Sequence, residues 1–189
     1  MSFIEDSKYK MLNTLAQKKG MIFIGASYFL NLNPDELCRD SHFETPVYNR
    51  SFYSLDINNI VEALNNYVYP LEPSKIFINI GENDLKKENF SIDNFASKFE
   101  FVLLDIHRHC PHCKIYTVGL KPLSDNESKV NAQLRQKSVE NGCTYISLTK
   151  GILINDFYAI EKYINGVKRN ENELDYILGN YSSPLLMAH

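Results

Sequence analysis

The chain has 189 residues and a formal net charge of −3 at pH 7. This length suits one substantial hydrophobic core rather than two, so the sequence predicts a single domain over residues 1–189. Lysine and arginine are interspersed with aspartate and glutamate, which leaves no basic face of the kind that neutralises phosphates. Nucleic acid is therefore not expected as a partner.

The N-terminal segment Met1–Gly20 is rich in charged residues and lacks the apolar core of a signal peptide. No later run of the sequence is long and apolar enough to span a bilayer. We therefore expect a soluble, cytoplasmic protein. In that reducing compartment the four cysteines are expected to be thiols; they are Cys38, Cys110, Cys113 and Cys143.

Short apolar runs bounded by turn residues alternate with segments of helical periodicity, a pattern typical of an α/β domain with a parallel sheet. Phe3–Lys19 predicts an added helix within residues 1–19, before the first strand, and Ile154–Ile164 predicts a helix after the last. The predicted strands are Met21–Gly25, Pro46–Asn49, Lys75–Ile80, Lys114–Gly119 and Cys143–Leu148.

Apolar residues between these strands recur at helical spacing and predict helices that return the chain across the sheet. One set is Ile57, Ile60, Val61 and Leu64, and another is Ile92, Phe95, Phe99, Val102 and Ile106. Ser124 and Glu127 predict a capping box at the start of a third helix. Since parallel strands all end on one side of a sheet, their outgoing loops gather there and form the expected ligand-binding edge.

Polar residues follow two of the predicted strands at this edge. Ser27 comes after the glycine turn that closes the first strand, where a substrate reaches its hydroxyl and the adjoining backbone N–H groups. Asn83 follows the third strand, where its side-chain N–H is able to donate to an oxyanion. Taken singly, each residue is also explained as a helix cap or turn residue. The aromatic residues after these loops fit either an acyl pocket or core packing; they are Tyr28, Phe29, Phe52 and Tyr53.

Three strand-end motifs together resemble the SGNH or GDSL hydrolase family, which has Gly-Asp-Ser, Asn-Arg-Gly and Gly-x-Asn-Asp after its first three strands. The corresponding residues here are Gly25-Ala26-Ser27, Asn49-Arg50-Ser51 and Gly81-Glu82-Asn83-Asp84. The segments Ser124-Asp125-Asn126 and 141–148 also look like that family, so the likeness spans Met21–Leu148. The motifs are short, and their order and spacing supply the specificity.

The resemblance implies a three-layer α/β/α sandwich of flavodoxin-like type, with a central parallel sheet and a serine esterase site. Ser27 would attack the carbonyl of a small-molecule ester that carries an acetyl or short acyl group. The oxyanion would be held by the backbone N–H groups of Ser27 and Ser51 and by the side chain of Asn83. No metal or organic cofactor is implied.

The sequence departs from the family pattern at three places. Ala26 replaces the usual Asp, and Ser51 stands where the family has Gly. The family ends with Asp-x-x-His, the pair that moves the serine proton, whereas here Asp175 is followed by leucine at the histidine position, Leu178. Shifting the alignment places Tyr181 there instead, and neither side chain acts as a base as imidazole does.

The five histidines offer one substitute for that base. Four precede predicted strands and are expected at the opposite edge of the sheet; they are His42, His107, His109 and His112. His189 reaches the site only if the C-terminal tail folds back over it, which makes it the possible base. If no base is present, the protein is a catalytically impaired pseudoenzyme or ligand-binding module that retains the fold.

Two further interpretations have weaker support. A flavodoxin-like nucleotide or flavin binder follows from fold analogy alone, and the sequence lacks a glycine-rich phosphate loop. Cys110 and Cys113 have the Cys-x-x-Cys spacing of a zinc site, with imidazoles nearby. Because a second well-spaced pair is missing, no metal site is expected.

Overall fold

A computed structural model describes residues 3–40, 45–151 and 153–165 of the chain. Several residues with predicted roles lie outside these ranges, so those roles stay predictions; they are His42, Asp175, Leu178, Tyr181 and His189.

Helices and strands alternate through the described residues. The helices are α1 (Phe3–Leu15), α2 (Ser27–Leu32), α3 (Pro34–Asp40), α4 (Ile60–Ala63), α5 (Ile92–His109), α6 (Asp125–Glu140) and α7 (Leu153–Asn165). The strands are β1 (Met21–Gly25), β2 (Val47–Asn49), β3 (Lys75–Asn79), β4 (Lys114–Val118) and β5 (Thr144–Ile146). A π-helical turn (Leu64–Val68) and a 3₁₀ turn (Tyr69–Leu71) extend α4 toward β3.

The five strands form one parallel sheet in the order β2-β1-β3-β4-β5, which confirms the predicted α/β architecture. In the pairing of β1 with β3, Gly25 lies opposite Asn79. The loops that leave these two neighbouring strands therefore begin side by side. Ser27 and Asn83 were predicted to lie at this edge of the sheet.

Alternate side chains of each strand enter hydrophobic cores on opposite faces of the sheet. In β1, Ile22 and Ile24 pack into the core beside α4, α5 and α6, whereas Met21 and Phe23 pack into the core beside α2 and α7. Because both faces are buried, the strands read as continuous apolar runs in the sequence. The two cores give the three layers that were predicted.

Two predicted helices are shorter than the periodicity suggested, for reasons that the backbone shows. The first ends at Leu15 rather than Lys19, because Lys19 has a left-handed φ of 66° and its N–H donates to the carbonyl of Leu71 at 2.9 Å. The helix predicted from Ile57 begins at Ile60, and residues 57–59 form a turn in which the Asp56 carboxylate accepts the Asn58 N–H at 2.7 Å.

The capping box predicted for α6 is confirmed. The Ser124 hydroxyl accepts from the backbone, and Glu127 accepts the Ser124 backbone N–H at 2.9 Å. No helix in the described part of the chain combines the length and apolar character that crossing a bilayer requires.

Candidate active site at the carboxyl edge of the sheet

Ser27 is the first residue of α2 and comes two residues after the end of β1. Its backbone N–H has no partner within the helix, since the first N–H groups of any helix lack one. Gly25 makes this placement possible: a Cβ at that position would lie 2.6 Å from the Asn79 carbonyl oxygen and 2.9 Å from the Phe29 ring. A glycine thus lets β1 approach β3 closely just before the serine.

Glu82 holds the Ser27 hydroxyl, a contact that the sequence interpretation did not anticipate. The Ser27 Oγ donates a hydrogen bond to Glu82 Oε2, and Lys86 Nζ lies 2.8 Å from the other carboxylate oxygen, Oε1. Burial opposes ionisation of this carboxyl, but the hydrogen bonds from Lys86 and Ser27 and the charge of Lys86 outweigh it and lower the pKa of Glu82 below 4.5. The carboxylate is therefore charged at neutral pH and serves as an acceptor for the serine proton.

Asn83 lies at the same edge of the sheet, but its amide is engaged with a neighbouring loop. Its Nδ2 donates to the carbonyl oxygens of Tyr53 at 2.7 Å and Leu55 at 2.9 Å. These two bonds use both N–H hydrogens of the amide. In this structure Asn83 therefore fastens the loop that follows β2, and its role as an oxyanion donor stays a prediction.

Asp84 also holds the loop that follows β2. Its buried carboxylate accepts the Ile57 N–H at 3.1 Å and lies 2.9 Å from Lys87 Nζ, which also contacts Asp56. Burial raises the pKa of the Asp84 carboxyl, and the Lys87 ammonium only partly offsets that effect. The last two residues of the Gly-Glu-Asn-Asp motif thus hold a loop, whereas its second residue faces the serine.

Ser51 is buried, and its backbone N–H donates to the side-chain oxygen of Asn49 at 3.1 Å. The Asn49 amide in turn donates to the carbonyl of Phe29 at 2.9 Å. The carbonyl of Ser51 accepts the Tyr9 hydroxyl at 2.7 Å, so α1 also braces this segment. The predicted oxyanion role of the Ser51 N–H likewise stays a prediction.

A cleft of about 520 Å³ opens beside the Ser27 hydroxyl. Its lining comes from α2, the end of β3 and the loop after it, the loop after β4 and the start of α6. The lining residues include Ser27, Tyr28, Asn31, Asn79, Glu82, Leu85, Lys86, Leu120, Lys121, Leu123, Ser124, Asn126 and Glu127. Leu85 and Leu120 supply apolar surface, and Asn31 and Asn126 supply polar groups. Neither Ser51 nor Asn83 is part of this lining.

Asn79 lies at the base of the cleft lining and is itself almost fully buried. Its Nδ2 donates to the carbonyl oxygens of Val118 at 3.1 Å and Gly119 at 2.9 Å, which fixes the orientation of the amide. Its Oδ1 is buried and has no hydrogen-bond partner among the described residues.

The predicted aromatic residues divide between core and surface. Phe29 and Phe52 are fully buried in the two cores, and Tyr53 is exposed. Only Tyr28 lines the cleft; burial and the nearby Asp156 charge raise the pKa of its phenol, so it stays neutral. Asp156 is itself buried and lies 2.9 Å from Lys121 Nζ.

Three predicted histidine positions lie at the opposite edge of the sheet, as expected. His107 and His109 end α5, and His112 lies in the turn before β4. The His107 ring contacts the carbonyl of Asn141 at 3.0 Å and the thiol of Cys143 at 3.6 Å. Within residues 3–40, 45–151 and 153–165, no group of three or more His, Cys, Asp or Glu side chains is arranged to hold a metal ion.

Neither a protein-family model nor a curated protein matches this sequence. Solved structures do match its fold. A protein from Streptococcus pneumonia, provisionally described as a platelet activating factor, aligns at a TM-score of 0.71 with 16% identity, over 85% of this chain and 91% of that one. A GDSL-like lipase from Bacteroides thetaiotaomicron aligns at 0.64 with 13% identity, over 77% and 78%. An acetylxylan esterase from Geobacillus stearothermophilus, a catalytic mutant, aligns at 0.56 with 12% identity, over 69% and 76%.

At identities of 12–16%, these likenesses concern the fold. The three alignments cover between 69% and 85% of this chain. In its fold, the chain is similar to solved structures described as a GDSL-like lipase and an acetylxylan esterase.

Proposed function

We propose that the protein is a serine esterase that hydrolyses small carboxylic esters with an acetyl or short acyl group. The observation that carries this proposal is the Ser27 hydroxyl, which lies at the end of β1 in the wall of a cleft and donates to an ionised carboxylate. A hydroxyl that already donates to a base is ready for attack on a carbonyl carbon.

The cleft supports a small substrate. Its volume of about 520 Å³ falls within the range of small-molecule sites. The leucines of the lining suit a short acyl chain, and the amides of Asn31 and Asn126 suit the hydroxyl groups of an alcohol such as a sugar. Two of the similar structures are named as a lipase and an acetylxylan esterase, which is consistent with ester chemistry.

The backbone N–H of Ser27 is the most direct oxyanion donor in this site, because it begins α2 and has no helical partner. The N–H of Ser51 and the amide of Asn83 would join it after giving up the bonds that they make to Asn49 and to the 53–55 loop. Binding of a substrate carbonyl would have to replace those bonds.

We expect the purified protein to hydrolyse 4-nitrophenyl acetate faster than a long-chain 4-nitrophenyl ester, because the cleft is short and partly polar. The release of 4-nitrophenol, corrected for the rate in buffer, measures both activities. A rate with the acetate ester no higher than that of buffer would reject the esterase.

A ligand-binding module is the second candidate, favoured by one observation. Among the described residues, the cleft lining contains no histidine. A module of this kind would bind an acetylated sugar or similar ester and release it unchanged. Calorimetric binding of such an ester without acetate release would favour it over the esterase.

A further inference from the structure

Among the residues that the structure describes, the carboxylate of Glu82 is the hydrogen-bond partner of the Ser27 hydroxyl. It comes three residues after β3, and β3 pairs directly with β1, the strand that carries Ser27. The two residues are 55 positions apart in the sequence, yet the fold joins them through a hydrogen bond from Oγ to Oε2. Lys86 holds the second carboxylate oxygen at 2.8 Å, which leaves Oε2 directed at the serine.

A purely structural explanation of this contact is less satisfactory. The capping position of α2 is Ala26, which makes no side-chain hydrogen bond, and Ser27 follows it as the first helical residue, so the Ser27 hydroxyl is not the cap of the helix. Ser27 instead turns its hydroxyl out of the helix toward the cleft, where both it and Glu82 contribute to the lining. The pair therefore lies where a substrate would meet it, rather than in the core.

We propose that Glu82 is the general base that activates Ser27, so that the site works as a serine–glutamate pair. This inference rests on the proposed esterase function. It assigns the proton transfer to a residue within the described part of the chain, without a histidine from the C-terminal tail.

The proposed steps balance with water as the only co-reactant. As Ser27 Oγ bonds to the ester carbonyl carbon, its proton moves to Glu82 Oε2, and the carbonyl electron pair becomes the oxyanion held by the Ser27 N–H. The oxyanion then collapses and the bond to the alcohol oxygen breaks, while the Glu82 carboxylic acid returns the proton to that oxygen. In the second half, Glu82 takes a proton from water, the resulting hydroxide attacks the acyl carbon, and Ser27 Oγ leaves with the proton back from Glu82.

The pH dependence of this pair differs from that of an imidazole. The ionised carboxylate is the active form, and its pKa is lowered below the usual glutamate value, so activity should fall only in acid below the range in which a free glutamate titrates. Between pH 5.5 and 9 we expect kcat/KM to be flat. A histidine base with a pKa near 6.5 would lower kcat/KM about tenfold at pH 5.5 relative to its plateau.

The test compares the wild type with Glu82→Gln and with Glu88→Gln, a matched change at an exposed glutamate outside the cleft. Glutamine keeps an acceptor for the serine hydroxyl but does not take up its proton. Two rates are measured: kcat/KM for 4-nitrophenyl acetate from pH 5.5 to 9, and the rate at which an alkyl fluorophosphonate modifies Ser27, with the site assigned by peptide mass spectrometry. Circular dichroism checks that each variant is folded.

We expect Glu82→Gln to lower both rates by about 10²-fold or more, and Glu88→Gln to leave them unchanged. The serine–glutamate proposal would be overturned by unchanged rates in Glu82→Gln, by an inflection of the wild-type pH profile near pH 6.5, or by no modification of Ser27. If Glu82→Gln does not fold, the wild-type pH profile alone decides between carboxylate and imidazole. Modification of Ser27 that depends on Glu82, without any ester hydrolysis, would reject the esterase while leaving the pair intact.

Discussion

Replacing Ser27 by alanine is expected to lower kcat/KM for 4-nitrophenyl acetate by about 10³-fold or more. The substitution removes the Oγ atom that bonds to the acyl carbon, so the two-step route through an acyl-enzyme is closed. The backbone N–H of Ser27 remains at the start of α2, and any activity that survives is that of water in a site with an oxyanion donor.

Ser97→Ala provides the matched control, because Ser97 is exposed on α5 and its hydroxyl donates only to the carbonyl of Asp93. This variant should retain the wild-type rate. Equal kcat/KM values for the wild type and Ser27→Ala would remove Ser27 from the mechanism.

Gly25→Ala should destabilise the protein and impair the site together. The new methyl group would lie 2.6 Å from the backbone oxygen of Asn79, and a backbone atom in a central strand yields only if the strands move apart. We expect the free energy of unfolding to fall by about 1–3 kcal/mol, as in overpacked cores. Separation of β1 from β3 also moves Ser27 away from Glu82, so kcat/KM should fall in the protein that remains folded.

Gly142→Ala is the comparison variant for Gly25→Ala, because it introduces backbone strain without steric crowding of the new methyl group. A Cβ there meets nothing within 4 Å, but Gly142 has a φ of +70°, so alanine should cost about 1 kcal/mol through left-handed strain alone. Thermal unfolding and kcat/KM of both variants provide the comparison. Wild-type stability and activity in Gly25→Ala would contradict the close approach of the two strands.

Much of the fold was predictable from local patterns. Every predicted strand overlaps an observed one, and the three central strands β1, β3 and β4 were the clearest because their largely buried residues leave continuous apolar runs. The capping box of α6 was predictable for a similar reason, since Ser124 and Glu127 are only three residues apart. The end of α1 was missed because the backbone N–H groups of Gln17 and Lys19 donate to Tyr48 and Leu71, which are distant in the sequence.

The candidate site was less accessible to sequence reasoning. The motifs located Ser27 and Asn83 at one edge of the sheet, but the partners of their side chains are set by tertiary structure. Asn83 faces the 53–55 loop, a choice that depends on how the chain leaves β2. Glu82 is at the position where the family motif accepts any residue, so the motif gave it no role. A carboxylate directly after the glycine that follows a strand was nevertheless a signal that could have located it.

The sequence lacks a histidine at the position of the family motif, and the structure instead has a carboxylate, that of Glu82, beside Ser27. A carboxylate with a lowered pKa is a weaker base than imidazole at neutral pH, so turnover should be slower than that of a complete serine triad. It also stays ionised in mildly acidic solution, where an imidazole base would be protonated. An esterase built on this pair would keep its activity at pH values where a histidine-dependent enzyme loses it.

The formation of an acyl-enzyme on Ser27 tests the central claim most directly. The wild-type protein is mixed with 4-nitrophenyl acetate, quenched in acid during turnover, digested and examined by peptide mass spectrometry. We expect one acetyl group on the peptide that contains Ser27, and none on that peptide from Ser27→Ala. Hydrolysis that proceeds with no acetyl group on Ser27, or with the group on another residue, would contradict the assignment of Ser27 as the nucleophile.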